Sequence, residues 1–368
     1  RQCIEQSRTL AFAHYLSRFR IGPARRSEGK APCREEDFNH TTLVIPAMMH
    51  KLQSAPELWI TAAMLAITAA LGWAIGVPIS LPQGDRAAFV GIHYLYPLIG
   101  VGIWGLFALF GQRQRLASTF LVALPCYALM LVCHFNLKLW RPLINPANWD
   151  GVYWQIDQAL HPLVAACFLI RQAIAPIVPL GSDFYITAFI TMFYISFCFH
   201  ALRSPGSFRT LFLAALIFQG AGALAYLVMP ALGPFTLQQG LEPGQTQAQL
   251  SMLGSYRELV AGGADWVRAN GGTHITVGLA AMPSLHTGGS FLFLLFAWRH
   301  ARQLLPFYLP LFGFIVIDSV ASRWHYLADV PVGLALAWGS AALAARITRR
   351  ESLTPDAAAP APAIPQPA

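Results

Sequence analysis

At 368 residues, 55% hydrophobic and only 11% charged, with a mean hydropathy of +0.49, the chain falls far below the roughly 25% charged residues of an ordinary soluble domain. Its surface must mostly face lipid, which excludes a soluble enzyme and predicts an integral membrane protein. The formal net charge of +8 does not point to nucleic acid in that setting, because excess Arg and Lys in a polytopic chain marks cytoplasmic loops.

In chain order, residues 1–50 read as a polar N-terminal extension, with Arg18, Arg20, Arg25, Arg26 and Lys30 and the pair Met48-Met49 at its end. It is either a mis-called start or a loose cytoplasmic segment, with no signal-peptide core. Hydropathy then predicts about eight spans, at 58–79, 89–110, 116–135, 184–201, 211–229, 286–298, 305–320 and 330–347. The expected fold is all-α: a polytopic helix bundle over 51–350 with a six-helix catalytic core. The sixth span is short for a hydrocarbon core of about 30 Å, so it is expected to start below the membrane surface. Residues 351–368 read as a disordered tail, since from Pro355 on they are Ala and Pro apart from Asp356, Ile364 and Gln366.

Arginine placement sets the orientation. Arg113 and Arg115, Arg203 and Arg209, Arg299 and Arg302, and Arg346, Arg349 and Arg350 all fall at one end of the spans. Short Arg-rich loops face the cytoplasm. The opposite end therefore faces periplasm, exterior or lumen, and it carries two long connections. The first, 137–183, contains Trp140, Trp149 and Trp154 and a semi-apolar run at 160–177, with His161 and Arg171 in it, that reads as a re-entrant or interfacial helix rather than a full span. The second, 230–282, is polar and Gly-rich and reads as a long loop, a lid over whatever lies beyond it.

Two motifs lie at that outward end: Pro283-Ser284-Leu285-His286, and Ser322-Arg323-Trp324-His325-Tyr326-Leu327-Ala328-Asp329. The histidines are 39 positions apart, with two apolar segments and a basic turn between them. Two spans of about 20 residues return a chain to the face it left, so the imidazoles are expected to meet. His325 and Asp329, four apart on a helix, share a face. The carboxylate can then hold one ring nitrogen and leave the other basic, as in a catalytic triad. Ser284 can cap the helix that His286 opens, and the free N–H groups of such a helix start favour an anion. Asp318, at the outward end of the seventh span, is a polar position that serves either the site or a structural hydrogen bond. The six cysteines show no Cys-x-x-Cys or zinc spacing.

The combination of Pro-Ser-x-His with a later Ser-Arg and His-x-x-x-Asp resembles the type 2 phosphatidic acid phosphatase superfamily, over about 184–347. The compact Arg323-x-His325-Tyr326-x-x-Asp329, with Tyr-Leu-Val-Met-Pro-Ala-Leu-Gly-Pro at 226–234, is most similar to its inositol phosphorylceramide synthase-like branch. The resemblance implies His325 as nucleophile, Asp329 as its orienting group and His286 as the acid. It implies Arg323, Ser284, Lys138 and Arg141 as contacts for the substrate phosphate. No metal and no cofactor are implied. The partners it implies are a lipid phosphate substrate and the bilayer, not nucleic acid, and it leaves the oligomeric state open. Two spacings depart from the family: only Trp324 separates Arg323 from His325, and only two residues separate Lys138 from Arg141-Pro142. The implied activity is a lipid phosphatase or phosphotransferase working through a phosphohistidine. The rival reading is a transporter or lipid-binding protein that uses the same His/Asp/Arg cluster as a proton or anion site.

Overall fold

The computed structural model describes residues 55–81, 114–275 and 280–353. The N-terminal extension, the second expected span and the Ala/Pro tail lie outside the described residues. Ten α-helices and no β-strand are found among the described residues, so the all-α bundle expected from hydropathy is the observed fold.

The helices are α1 (Pro56–Ile75), α2 (Gln114–Ile144), α3 (Asp150–Ala159), α4 (His161–Ala173), α5 (Phe184–Arg203), α6 (Pro205–Val228), α7 (Pro243–Asn270), α8 (Leu285–His300), α9 (Leu305–Ala321) and α10 (Asp329–Leu353). Six are long and apolar enough to cross a membrane: α1, α2, α5, α6, α9 with the turn before it, and α10. At 16 residues α8 is about 24 Å long, the short span anticipated. Local chemistry sets the ends. Proline opens α1 and α6, where a missing N–H costs nothing, and Gly76 closes α1 in the left-handed region at φ 70°.

Helix α6 is the hub, packed against α1, α2, α5, α8 and α10. Leu211, Leu213, Ala214, Leu216 and Ala223 on it are fully buried. Lipid tails supply no hydrophobic drive between helices, so close packing of small residues does the holding. The tightest approach is α8 on α10. A Cβ at Gly333 would lie 2.3 Å from the Ser284 carbonyl oxygen, and one at Gly288 would lie 2.6 Å from the Gly333 carbonyl oxygen. Two glycines thus let the two motif-bearing helices touch backbone to backbone.

Three expectations need correction. Helix α2 continues to Ile144, past the predicted end at 135. Lys138 and Arg141 look like a span boundary, yet both are sheltered: the Lys138 ammonium lies over the Tyr226 ring, and Arg141 donates to the Tyr256 hydroxyl. The connection after α6 is not a loop but contains the 28-residue α7, kinked at Gly263 (φ 60°). Its buried positions, Gln249, Met252, Leu259 and Val267, repeat at three, seven and eight residues, a helical stripe that the Gly content masks. The connection after α2 folds as two short helices, and α4 accounts for the semi-apolar run.

Candidate active site

The site sits where α8 and α10 begin. Ser284, fully buried at the N-cap position of α8, donates its backbone N–H to the Asp329 carbonyl at 3.3 Å. Its hydroxyl donates to Thr287 Oγ1 at 2.9 Å, so it braces the first turn by side chain rather than capping a backbone N–H. Residue 284 thereby meets residue 329 although α8 and α9 intervene, which is the return to one face that the 39-residue spacing required.

His325 lies in the turn before α10, and Asp329 is the first residue of that helix. The pair is therefore not the mid-helix i, i+4 pair expected; the chain reverses between them. His325 Nδ1 is 2.8 Å from the Ala281 carbonyl oxygen and 3.2 Å from Asp329 Oδ2. A carbonyl can only accept, so Nδ1 carries the proton and Nε2 keeps its lone pair. Asp329 is fully buried, and its Oδ2 also accepts the Tyr326 N–H at 2.9 Å. Its Oδ1 has no protein partner.

His286 projects from the first turn of α8 into an aromatic bracket on α5. Its ring meets Tyr185 and Phe189 edge-on at centroid distances of 5.4 and 4.8 Å. The His286 ring lies within electrostatic reach of His325, Lys138 and His134. The Lys138 ammonium is 4.9 Å from the Tyr226 ring centroid, and the His134 ring stands edge-on to the same tyrosine at 5.6 Å. The two imidazoles, Lys138 and Asp329 thus lie toward one and the same end of α2, α8 and α10.

Arg141 and Arg323 are engaged elsewhere. Arg141, fully buried, donates to the Tyr256 hydroxyl at 2.9 Å and the Ala147 carbonyl at 3.3 Å. It joins α2 to α7. Arg323 is 1% exposed, donates Nη1 to Asp157 Oδ2 at 2.9 Å, and gives Nε and Nη2 to Gln238 Oε1. Trp154 and Phe168 lie against its guanidinium. As folded, all three Arg323 guanidinium nitrogens donate to protein acceptors, while Arg141 Nε is buried without a hydrogen-bond partner among the described residues.

The residues that sequence reasoning missed are on α3. Asp150 and Asp157, seven apart on one helix face, both grip the turn that carries His325. Asp150 accepts the Tyr326 hydroxyl at 2.9 Å and the N–H groups of Leu232 and Gly233. Asp157 accepts the Leu327 N–H at 2.8 Å through its other oxygen. Burial pushes the Asp157 carboxyl above the usual carboxylate range, and the Leu327 N–H and Arg323 pull it back. Burial likewise lowers the Arg323 guanidinium, and Asp157 restores it. Burial and then the nearby carboxylates of Asp329 and Asp150 push the Tyr153 phenol up to about 12. The available signal was the acid spacing on a Trp-rich segment, but its partners are 82 to 176 positions away.

A second buried arginine cluster lies beside the site. Arg171 on α4 donates Nε to Asp318 Oδ1 at 2.7 Å, donates Nη2 to Glu242, and reaches the carbonyls of Val178 and Pro179. Asp318 therefore takes the structural role. Among the described residues no group of three or more His, Cys, Asp or Glu is gathered as a metal site.

Comparison with known proteins supplies the class. The family model described as the PAP2 superfamily matches residues 155–343, just over half of the chain, from the middle of α3 into α10. No curated protein and no solved structure matched. The match starts earlier than the resemblance read from the motifs, because it takes in part of the helix that carries Asp157. With both motifs and the helix pair that carries them inside the matched region, the chain belongs to the PAP2 superfamily, as a membrane-embedded member of phosphatase type acting on lipid phosphate.

Proposed function

We propose that the protein is a lipid phosphatase or phosphotransferase in which His325 is the nucleophile and a phosphohistidine is the intermediate. The observation that carries this reading is the state of His325. Its Nδ1 proton is fixed by Ala281 and Asp329, so Nε2 presents a lone pair, and a second imidazole stands within electrostatic reach.

In the first step Nε2 attacks phosphorus, the bond from phosphorus to the lipid oxygen breaks, and His286 gives that oxygen its proton. In the second step a hydroxyl attacks the phosphohistidine, His286 takes its proton, and the nitrogen–phosphorus bond breaks. One group serving as acid and then base follows from microscopic reversibility. As the imidazole forms its bond to phosphorus it gains positive charge, which the buried Asp329 carboxylate would stabilise. Lys138, a cation within electrostatic reach of the His286 ring, would offset charge on the phosphoryl oxygens, together with the backbone N–H groups at the start of α8. Water as acceptor makes the enzyme a phosphatase. A lipid or alcohol hydroxyl makes it a transferase, the outcome that the branch resembling inositol phosphorylceramide synthases would favour.

The basic residues at the far ends of α5, α6, α8, α9 and α10 support an outward-facing site. The test is His325→Ala and His286→Ala assayed on phosphatidic acid, polyprenyl diphosphate and phosphoinositide donors, with water, diacylglycerol and ceramide competing. Loss of about 10³-fold or more in kcat for each variant is expected for a nucleophile and its acid. Turnover that survives His325→Ala rules the proposal out.

A further inference from the structure

We propose that Arg323, the arginine of the second motif, is a positioning residue for His325, locked by Asp157, and not a ligand of the substrate phosphate. The inference rests on the reading of His325 as the nucleophile.

Three independent observations carry it. First, all three guanidinium nitrogens donate to protein acceptors, Nη1 to Asp157 and Nε and Nη2 to Gln238. The group is sandwiched between the rings of Trp154 and Phe168 at 5.4 and 5.5 Å. To reach a phosphate it would have to abandon Asp157, whose carboxylate is fully buried, and a buried charge left without its partner is strongly destabilising.

Second, the same carboxylate brackets the nucleophile. Asp157 Oδ2 holds Arg323, two residues before His325, and Oδ1 holds the Leu327 N–H, two residues after it. Asp150, on the same face of α3, holds Tyr326 between them. A turn tied at three successive points to one helix cannot rotate His325 away from Ala281 and Asp329.

Third, the Arg323 backbone sits at φ 63°, left-handed for a residue with a Cβ, which persists only where the surroundings enforce it. Its carbonyl accepts the Phe235 N–H at 3.1 Å, so the residue is pinned through backbone and side chain alike. The single-residue gap between Arg323 and His325 belongs to this arrangement: the arginine points down to α3 while the histidine points up to Ala281.

The roles separate in a paired-neutral experiment on the full chain in detergent micelles, with dioleoyl phosphatidic acid as substrate and inorganic phosphate as competing anion. Under the positioning role Arg323→Gln strands Asp157 and lowers kcat by about 100-fold, with KM and the phosphate inhibition constant within about threefold of wild type. Adding Asp157→Asn to Arg323→Gln removes the stranded charge and leaves neutral amides in place of the ion pair. The double variant is expected to recover to within about tenfold of wild type. Gln238→Ala, at an exposed position, leaves the fold alone and should lower kcat by about threefold with the phosphate constant unchanged.

A double variant as inactive as Arg323→Gln overturns the proposal. So does a rise of tenfold or more in the phosphate constant for Arg323→Gln or Gln238→Ala, since a ligand of the phosphate cannot be replaced by relieving its neighbour. His325→Ala runs beside them. If it stays active, the nucleophile assignment fails; if it is inactive while the double variant is also inactive, the positioning role alone fails.

Discussion

Two of the buried arginines, Arg323 and Arg171, each 1% exposed, pair with carboxylates, and they are built to different ends. Around Arg323 the acid belongs to α3, and its second oxygen holds the backbone of the turn that carries His325. Around Arg171 the acids come from α9 and the approach to α7, and Glu242 uses its second oxygen on the Gly181 N–H. The first cluster ends in the turn that carries His325. The second ties together α4, α7 and α9, which carry none of the proposed chemistry. Buried ion pairs of similar composition can thus serve geometry at a reacting atom or the assembly of helices, and what decides is where the remaining lone pairs go.

Mutations can break that contrast. The largest effect on stability is expected from Arg171→Met, which strands two buried carboxylates and should cost about 3–5 kcal/mol; thermal unfolding in detergent would show it, while kcat of the surviving folded fraction stays within a few-fold. Next comes Gly333→Ala. Its Cβ would press on the Ser284 carbonyl at 2.3 Å and force α8 from α10, at a cost of about 1–3 kcal/mol. Unlike Arg171→Met it should also lower kcat, because it parts His286 from His325. Asp150→Asn removes the charged acceptor of the Tyr326 hydroxyl and of two backbone N–H groups. It is expected to cost about 1–3 kcal/mol and to slow turnover by about tenfold, with KM unchanged. The smallest change is Glu242→Gln, which keeps the shape of the Arg171 cluster; a loss of about 1–2 kcal/mol in stability with unchanged kcat is the result that keeps the two clusters distinct. A fall in kcat for Glu242→Gln comparable to that of Asp150→Asn would erase the distinction.

Much of this was legible in the sequence. Hydropathy placed the seven expected segments that fall among the described residues on helices, six of them long and apolar enough to cross a membrane, but Lys138 and Arg141 hid the end of α2 behind partners that only folding supplies. The return of the two motifs to one end of the bundle, seen in the Ser284 N–H bond to the Asp329 carbonyl, followed from span length. The His325–Asp329 pairing also held, although the chain achieves it in a turn and not within a helix, because Arg323 reverses the backbone just before it. The acids of α3 were not legible. Asp150 and Asp157 look like solvated residues near a membrane border, and nothing local marks their partners 82 to 176 positions on. For the same reason Arg323 reads as a free cation until Asp157 and Gln238 are placed beside it. Helix α7 was read as a loop because its glycines outweighed a buried stripe that spans more than one turn between members.

The account turns on His325 forming a bond to phosphorus. Brief reaction of the purified protein with 32P-labelled phosphatidic acid, followed by denaturation, tests this most directly. The prediction is an acid-labile, base-stable phosphoprotein whose label maps to the peptide containing residue 325, absent from His325→Ala and accumulating in His286→Ala if the second step is slowed more than the first. Turnover with no label on that peptide, or label that persists in His325→Ala, would contradict it.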